Sequence, residues 1–171
     1  FSLKELGFIY TRLNNPTNQI LQDRLAAVEG GIGAVVFASG TAAIATGLLT
    51  LLKAGDHIVA SSSLYGGTYN LLSVTLPRFG ITTTFVDASN ADNFGTAIQE
   101  NTRAFFVESL GNPKLDVLDL EAISAHAKKA EVPFIVDNTV ATPILLNPIK
   151  HGADIVIHSL TKYIGGQGTS L

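Results

Sequence analysis

Apolar and polar positions follow two rhythms along this chain. Short apolar runs rich in β-branched and aromatic residues recur at Ala34–Ala38, His57–Ser61, Ile81–Val86, Ala104–Glu108, Pro133–Asp137 and Ile155–His158. They are continuous rather than alternating, as expected for strands covered on both faces of a parallel sheet. Between them the apolar positions return at helical spacing over Thr41–Leu52, Thr68–Arg78, Phe94–Glu100 and Asp119–Ala130. A further helix is expected at Asn18–Glu29, with Ile20, Leu21, Leu25 and Val28 along one face and start signals at Asn14 to Asn18. This strand–helix repetition predicts a doubly wound α/β domain over 18–171. Residues 1–17, with Asn14, Asn15 and Pro16 near their end, read as an extended arm. No internal repeat, low-complexity tract or interdomain linker interrupts the pattern.

Composition narrows the function classes. The 171 residues are 46% hydrophobic and only 15% charged, which excludes a disordered chain. Eleven Lys and Arg against 14 Asp and Glu give a net charge of −3, with no basic run, so no nucleic-acid partner is expected. The chain has no Cys, which excludes disulfide frameworks and thiolate metal sites. The one N-x-[ST] match, Asn15-Pro16-Thr17, carries the forbidden Pro. The most apolar run, Val35 to Leu52, is broken by Ser39, Gly40, Thr41, Thr46, Gly47 and Thr50, and no signal peptide opens the chain. The expectation is a soluble, cytoplasmic protein with no membrane partner. The chain also lacks Met and opens on Phe1, so a fragment of a longer protein is expected.

In doubly wound sheets, ligands gather at the carboxyl ends of the strands. Ser39-Gly40-Thr41 at the head of the first core helix fits either an anion site or a plain helix cap. Neither nucleotide fingerprint is present, because Gly31-Ile32-Gly33 precedes a strand rather than following one. Tyr65-Gly66-Gly67 offers a flat aromatic face or simply a half-buried ring beside a flexible turn. Asn112-Pro113 reads as turn chemistry, while Glu108 at the end of an apolar strand needs a partner. Asp137, closing Phe134-Ile135-Val136, points a charge toward the crevice, where burial would raise its pKa unless it met a cation. Lys162 lies 25 residues further on, after the strand ending at His158, between Thr161 and Tyr163 and ahead of Gly165-Gly166. A lysine in a partly desolvated site has a lowered pKa and can act as a nucleophilic amine toward a carbonyl, while a lone lysine after a strand is usually just solvated.

Taken in order, these segments resemble the large domain of the Cys/Met-metabolism family of pyridoxal-phosphate enzymes. The resemblance runs from Tyr10 to Leu171. Tyr10-Thr11-Arg12-Leu13-Asn14-Asn15-Pro16-Thr17 is similar to the family's Y-x-R-x-x-N-P-T signature. Asp137-Asn138-Thr139 resembles its pyridinium-binding strand, and His158-Ser159-Leu160-Thr161-Lys162 its Schiff-base lysine segment. Glu108-Ser109-Leu110-Gly111-Asn112-Pro113 is closest in appearance to the O-acetylhomoserine sulfhydrylase branch.

The resemblance implies a three-layer α/β/α fold with a mostly parallel sheet, pyridoxal phosphate as cofactor and no metal. It implies that Lys162 binds the cofactor covalently and shuttles protons, that Asp137 pairs with the ring nitrogen and that Tyr65 stacks on the ring and counts among the catalytic residues. Gly40, Thr41, Ser159 and Thr161 would hold the phosphate, Asn112 would approach the ring hydroxyl, and Glu108 and Thr139 would line the pocket. Tyr10 and Arg12 would reach the site of a neighbouring subunit in a dimer or tetramer, with Tyr10 also counted as catalytic. The implied reaction is γ-replacement, O-acetylhomoserine plus sulfide or another thiol giving homocysteine; cystathionine γ-synthase or γ-lyase and methionine γ-lyase chemistry are the near alternatives. A non-catalytic module that binds a phosphorylated ligand is the alternative of another class. The substrate-carboxylate clamp would lie outside this chain, which on its own is expected to be inactive.

Overall fold

A computed structural model describes residues 7–169. The chain divides into two compact units, 1–36 and 37–171.

In the first unit, residues 7–15 lead into helix α1 (Pro16–Glu29). Its start is dictated locally: the Asn15 side chain accepts hydrogen bonds from the backbone N–H groups of Thr17 and Asn18, and Pro16 supplies a preset φ at the first helical position. Its end is set by Gly30, which turns left-handed at φ 74°. The expected apolar face does not form a core here. Ile20, Leu21 and Val28 are exposed and Leu25 is half-buried, leaving Glu29 as the buried residue of the helix.

The second unit holds a five-stranded, all-parallel sheet: β1 (His57–Ser61), β2 (Thr82–Val86), β3 (Thr102–Glu108), β4 (Phe134–Asp137) and β5 (Ile155–Ile157). The order is β2-β1-β3-β4-β5. The central strands β1, β3 and β4 are buried almost throughout, whereas the edge strands β2 and β5 are largely half-exposed. That contrast explains why the central runs read as continuous apolar segments.

Two apolar clusters cover the two faces and make the three layers. On one face, Ile44 and Leu48 of α2 (Gly40–Leu51) pack with Leu71, Leu72 and Leu76 against Ile58, Phe106, Ile135 and Ile157. The chain reaches Leu71 from α3 (Gly66–Asn70) and continues helically to Phe79, through a π turn at Leu71–Thr75 and a 3₁₀ turn at Leu76–Phe79. Pro77 has no N–H to donate to the preceding turn, which favours that change of winding. On the other face, Phe94 of α4 (Asp92–Thr96) and Ile123 and Ala127 of α5 (Leu120–Lys129) pack on Val59, Phe105, Phe134 and Val136. A short α6 (Thr142–Leu145) follows β4, in a stretch with no helical pattern in sequence.

One expected strand is absent. Ala34–Ala38 runs as irregular chain, and the Val36 N–H bonds the Gln22 side chain at 3.1 Å instead of a neighbouring strand. An apolar run becomes a strand only where its backbone groups meet ladder partners, and here an N–H is met by a side chain instead. The expected helix at Phe94–Glu100 is also shifted and shortened to α4.

From β1 the chain steps outward to β2, then crosses back to β3 and continues to β4 and β5. The direction reverses between β1 and β3, and such a reversal opens a crevice beyond the carboxyl ends of those two strands.

Candidate active site

The carboxyl ends of β1, β3, β4 and β5 and the head of α2 surround one cavity of about 400 Å³ within the second unit. The two-residue period of the strands decides which side chains reach it. Ile135 and Phe106 face the α2 layer, so Asp137 and Glu108, two residues further along each strand, face it as well. Glu108 and Asp137 are register partners on neighbouring strands.

Each carboxylate is held on one oxygen. Glu108 Oε1 accepts the backbone N–H of Tyr65 at 2.7 Å, which ties the end of β3 to the turn after β1. Asp137 Oδ1 accepts both the backbone N–H of Thr139 at 3.0 Å and its hydroxyl at 2.6 Å. The same Thr139 Oγ1 accepts the backbone N–H of Ser159 at 2.8 Å, so β4 and the segment after β5 are locked together through one hydroxyl. Burial pushes the Glu108 carboxyl up to about 7, against the Tyr65 N–H bond and with Asp137 adding to the rise. Burial also lifts Asp137 above the usual carboxylate range, against its Thr139 hydrogen bonds and the nearby His158.

The amino end of α2 borders the same cavity. Ser39 caps it, its side chain accepting from Ala42 N at 3.0 Å, so the cap reading of Ser39 holds. The remaining first-turn N–H groups, at the positive end of the helix dipole, border the cavity at Gly40 and Thr41. A Cβ on Gly40 would stand 2.8 Å from Ser159 Cβ, so only glycine lets α2 approach the segment after β5 this closely. Ser159 Oγ and Thr161 Oγ1 sit 2.9 Å apart beside that helix end. Lys162 follows on an exposed turn that borders the cavity. That turn closes through Gly165 N–H to Leu160 O at 2.9 Å, and a Cβ on Gly165 would come within 2.5 Å of that oxygen.

Of the residues singled out in sequence, Gly40, Thr41, Tyr65, Glu108, Asn112, Asp137, Thr139, Ser159, Thr161 and Lys162 all line this cavity. Tyr10 and Arg12 do not line it; they belong to the first unit, where the Arg12 guanidinium lies 4.7 Å from the centre of the Tyr10 ring. The cavity wall also includes Ile44, Thr68, Leu110, Val140 and Tyr163, which the sequence reading did not single out as site residues. Nothing in their local pattern marks them, since Ile44 and Thr68 read as core positions of their helices.

The family model for Cys/Met metabolism PLP-dependent enzymes matches residues 1–171. The chain belongs to this family. It is 57% identical over 171 residues to the O-acetyl-L-homoserine sulfhydrylase of Leptospira meyeri, covering all of this chain and 39% of that protein. It is 51% identical to an L-methionine gamma-lyase of Fusobacterium nucleatum subsp. polymorphum, over 98% of this chain and 43% of that protein. A solved structure from Campylobacter jejuni, described as an O-acetylhomoserine (thiol)-lyase, superposes with a TM-score of 0.94 at 49% identity. The match covers 99% of this chain and 42% of that one, which carries N'-pyridoxyl-lysine-5'-monophosphate. The chain thus spans about 40% of the length of such relatives. The family's cofactor is pyridoxal phosphate, and its fold type is the three-layer parallel α/β/α arrangement seen here. Among the described residues no helix is long and apolar enough to cross a membrane.

Proposed function

We propose that the cavity at the carboxyl ends of the strands holds pyridoxal phosphate and that the protein containing this chain catalyses γ-replacement in sulfur amino-acid metabolism, in the cytoplasm. The reaction is O-acetyl-L-homoserine plus sulfide giving homocysteine plus acetate: the Cγ–O bond breaks, a Cγ–S bond forms, and the proton released by hydrogen sulfide balances the acetate. The observation that carries the reading is one cavity lined together by the Glu108 and Asp137 carboxylates, a helix amino end and a lysine.

The residues present fit the cofactor. Asp137, whose ionised form is disfavoured by burial, gains a partner when a protonated pyridine nitrogen faces it. Thr139 aims that carboxylate by two hydrogen bonds to one oxygen, leaving the other for the ring. The α2 amino end with Ser159 and Thr161 suits a phosphate, which needs N–H and O–H donors and a positive field. Tyr65 presents its ring as one wall, and Asn112 offers a side-chain amide toward the ring hydroxyl. Pyridoxal phosphate supplies a carbonyl that binds amines and a ring that accepts electrons. Lys162 Nζ supplies the amine and, once displaced by substrate, is the base that takes the proton from Cα and then handles the Cβ proton.

Tyr10 and Arg12 complete the phosphate site of a neighbouring subunit, so the working unit is a dimer or tetramer. The domain assignment follows from this: residues 1–17 serve as an intersubunit arm and 18–171 as the cofactor-binding domain. The sulfhydrylase-like segment around Glu108-Ser109-Leu110-Gly111-Asn112-Pro113 supports replacement over elimination.

The test is turnover of the protein with O-acetyl-L-homoserine, O-succinyl-L-homoserine or L-methionine, with and without sulfide. Homocysteine and acetate in equal amounts, requiring sulfide, is the expected result. Release of 2-oxobutanoate and ammonia without sulfide would instead assign γ-lyase chemistry, the activity named for the Fusobacterium relative. Covalent capture of added pyridoxal phosphate by borohydride is expected on Lys162, and capture elsewhere overturns the site assignment.

A further inference from the structure

Glu108 and Asp137 end neighbouring parallel strands in register, so their backbones stand one strand spacing, about 5 Å, apart and their side chains leave the sheet on the same face. Glu108 is only 6% exposed. Two carboxylates on adjacent strand ends, one buried and the other half-buried, do not both ionise at low cost, and one keeps its proton. Their surroundings decide which. Asp137 has two donors on Oδ1 and His158 nearby, and all of these favour its charge. Glu108 has one donor, the Tyr65 backbone N–H, which a neutral acid also satisfies through its carbonyl oxygen. The other titratable side chains on the cavity are Tyr65, Tyr163 and Lys162, the last on the exposed turn after β5.

We propose that Glu108 is a positioning residue: held as a neutral acid, it anchors the backbone of Tyr65 across the β1–β3 crevice and leaves Asp137 as the single negative carboxylate facing the cofactor. This rests on the reading that the cavity holds pyridoxal phosphate. Anchoring matters because Tyr65 is followed by Gly66-Gly67, a turn with little stiffness of its own, and because Tyr65 opens α3 without any side-chain cap. The bond to Glu108 therefore sets where the aromatic wall stands. Neutrality matters because a second negative charge would weaken the preference of the cavity for the cofactor's phosphate.

The experiment compares E108Q and E108A with the unchanged protein, by pyridoxal phosphate titration, by the circular dichroism of the bound cofactor and by urea unfolding of the cofactor-free form across pH. Glutamine keeps a carbonyl for the Tyr65 N–H and is neutral. E108A is expected to lose about tenfold or more in cofactor affinity and to change the cofactor dichroism, because the Tyr65 N–H loses its acceptor and the turn its anchor. E108Q is expected to lose less than a third of that free-energy change and to keep the sign of the dichroism. Glutamine weakening binding as much as alanine would show that Glu108 acts as an anion, and no effect from either would show that it anchors nothing; both overturn the proposal. Should E108A fail to fold, the pH series decides. The unchanged protein is expected to lose stability relative to E108Q as pH rises from 4.5 to 7, and parallel profiles would overturn the proposal. Failure of the unchanged protein to bind pyridoxal phosphate would refute the cofactor reading instead, a separate result.

Discussion

At the amino edge of the sheet, His57 is 1% exposed, and its ring meets a hydroxyl on each side: Nδ1 lies 2.8 Å from Thr102 Oγ1 and Nε2 lies 2.8 Å from Thr84 Oγ1. Beside it, the buried Asp56 accepts the Lys53 N–H at 2.8 Å and has the Arg103 guanidinium 4.0 Å away. At the carboxyl edge, Glu108 is buried and Asp137 half-buried, yet each is held on one oxygen and borders a cavity. Both edges bury ionisable groups, and only one closes its hydrogen bonds internally. A buried group satisfied on every side serves the fold, whereas a buried group with spare valency facing a cavity is waiting for a ligand.

Three substitutions sharpen or break this contrast. The largest effect is expected for Lys162→Ala, which should lower turnover about a thousandfold or more and abolish the borohydride-fixed adduct. The urea midpoint of the cofactor-free protein should not move, because the side chain is exposed and holds nothing together. A clear fall in that midpoint would show that the carboxyl edge also carries the fold.

His57→Leu is expected to cost about 2–4 kcal/mol in urea unfolding, since it removes the buried ring's hydrogen bonds to the Thr84 and Thr102 hydroxyls. Pyridoxal phosphate affinity of the folded variant should change less than about twofold. Its pH signature runs opposite to that of Glu108. Burial lowers the His57 pKa, so the unfolded ring binds its proton near 6.5 and the folded ring only at lower pH. The stability due to His57 is therefore complete above pH 6.5 and lost as pH falls through the folded value. The folded Glu108 keeps its proton up to about 7, while the unfolded carboxyl releases it near 4.5. Its contribution is complete below pH 4.5 and declines as pH rises to 7. Unfolding of the cofactor-free His57→Leu protein should lack the rise due to His57, and that of E108Q should lack the decline due to Glu108.

The smallest effect is expected for Thr139→Val, about 1 kcal/mol in stability, with a larger proportional loss in cofactor affinity. It removes the hydroxyl that bonds Asp137 and receives the Ser159 N–H, and so uncouples the β4 end from the segment carrying Lys162. Equal losses in stability and affinity would mean that Thr139 acts in folding alone.

Most of the sheet was legible because its central strands are buried on both faces and therefore written as unbroken apolar runs. His57–Ser61 was read to the residue, and Ala104–Glu108 and Pro133–Asp137 differ from the observed strands by one or two residues at their first ends. The same criterion failed at Ala34–Ala38, an apolar run that finds no partner strand, because periodicity reports burial potential and not the presence of a free edge. It failed again on the stripe of Ile20, Leu21 and Val28, where a helical period formed a helix without a core beneath it. The short α6 was missed since four residues leave no periodic trace.

The sequence by itself determined the kind of layer, the identity of the strand-end residues and the family, because these depend on local burial patterns and on which residue follows each strand. Only the tertiary structure decided that the order β2-β1-β3-β4-β5 opens the crevice beside Tyr65 and Glu108. It also decided that Glu108 and Asp137 stand in register, and that the Thr139 hydroxyl joins Asp137 to the segment of Lys162. Strand order and register are set by long-range packing of both faces at once, and no single stretch of chain carries that information.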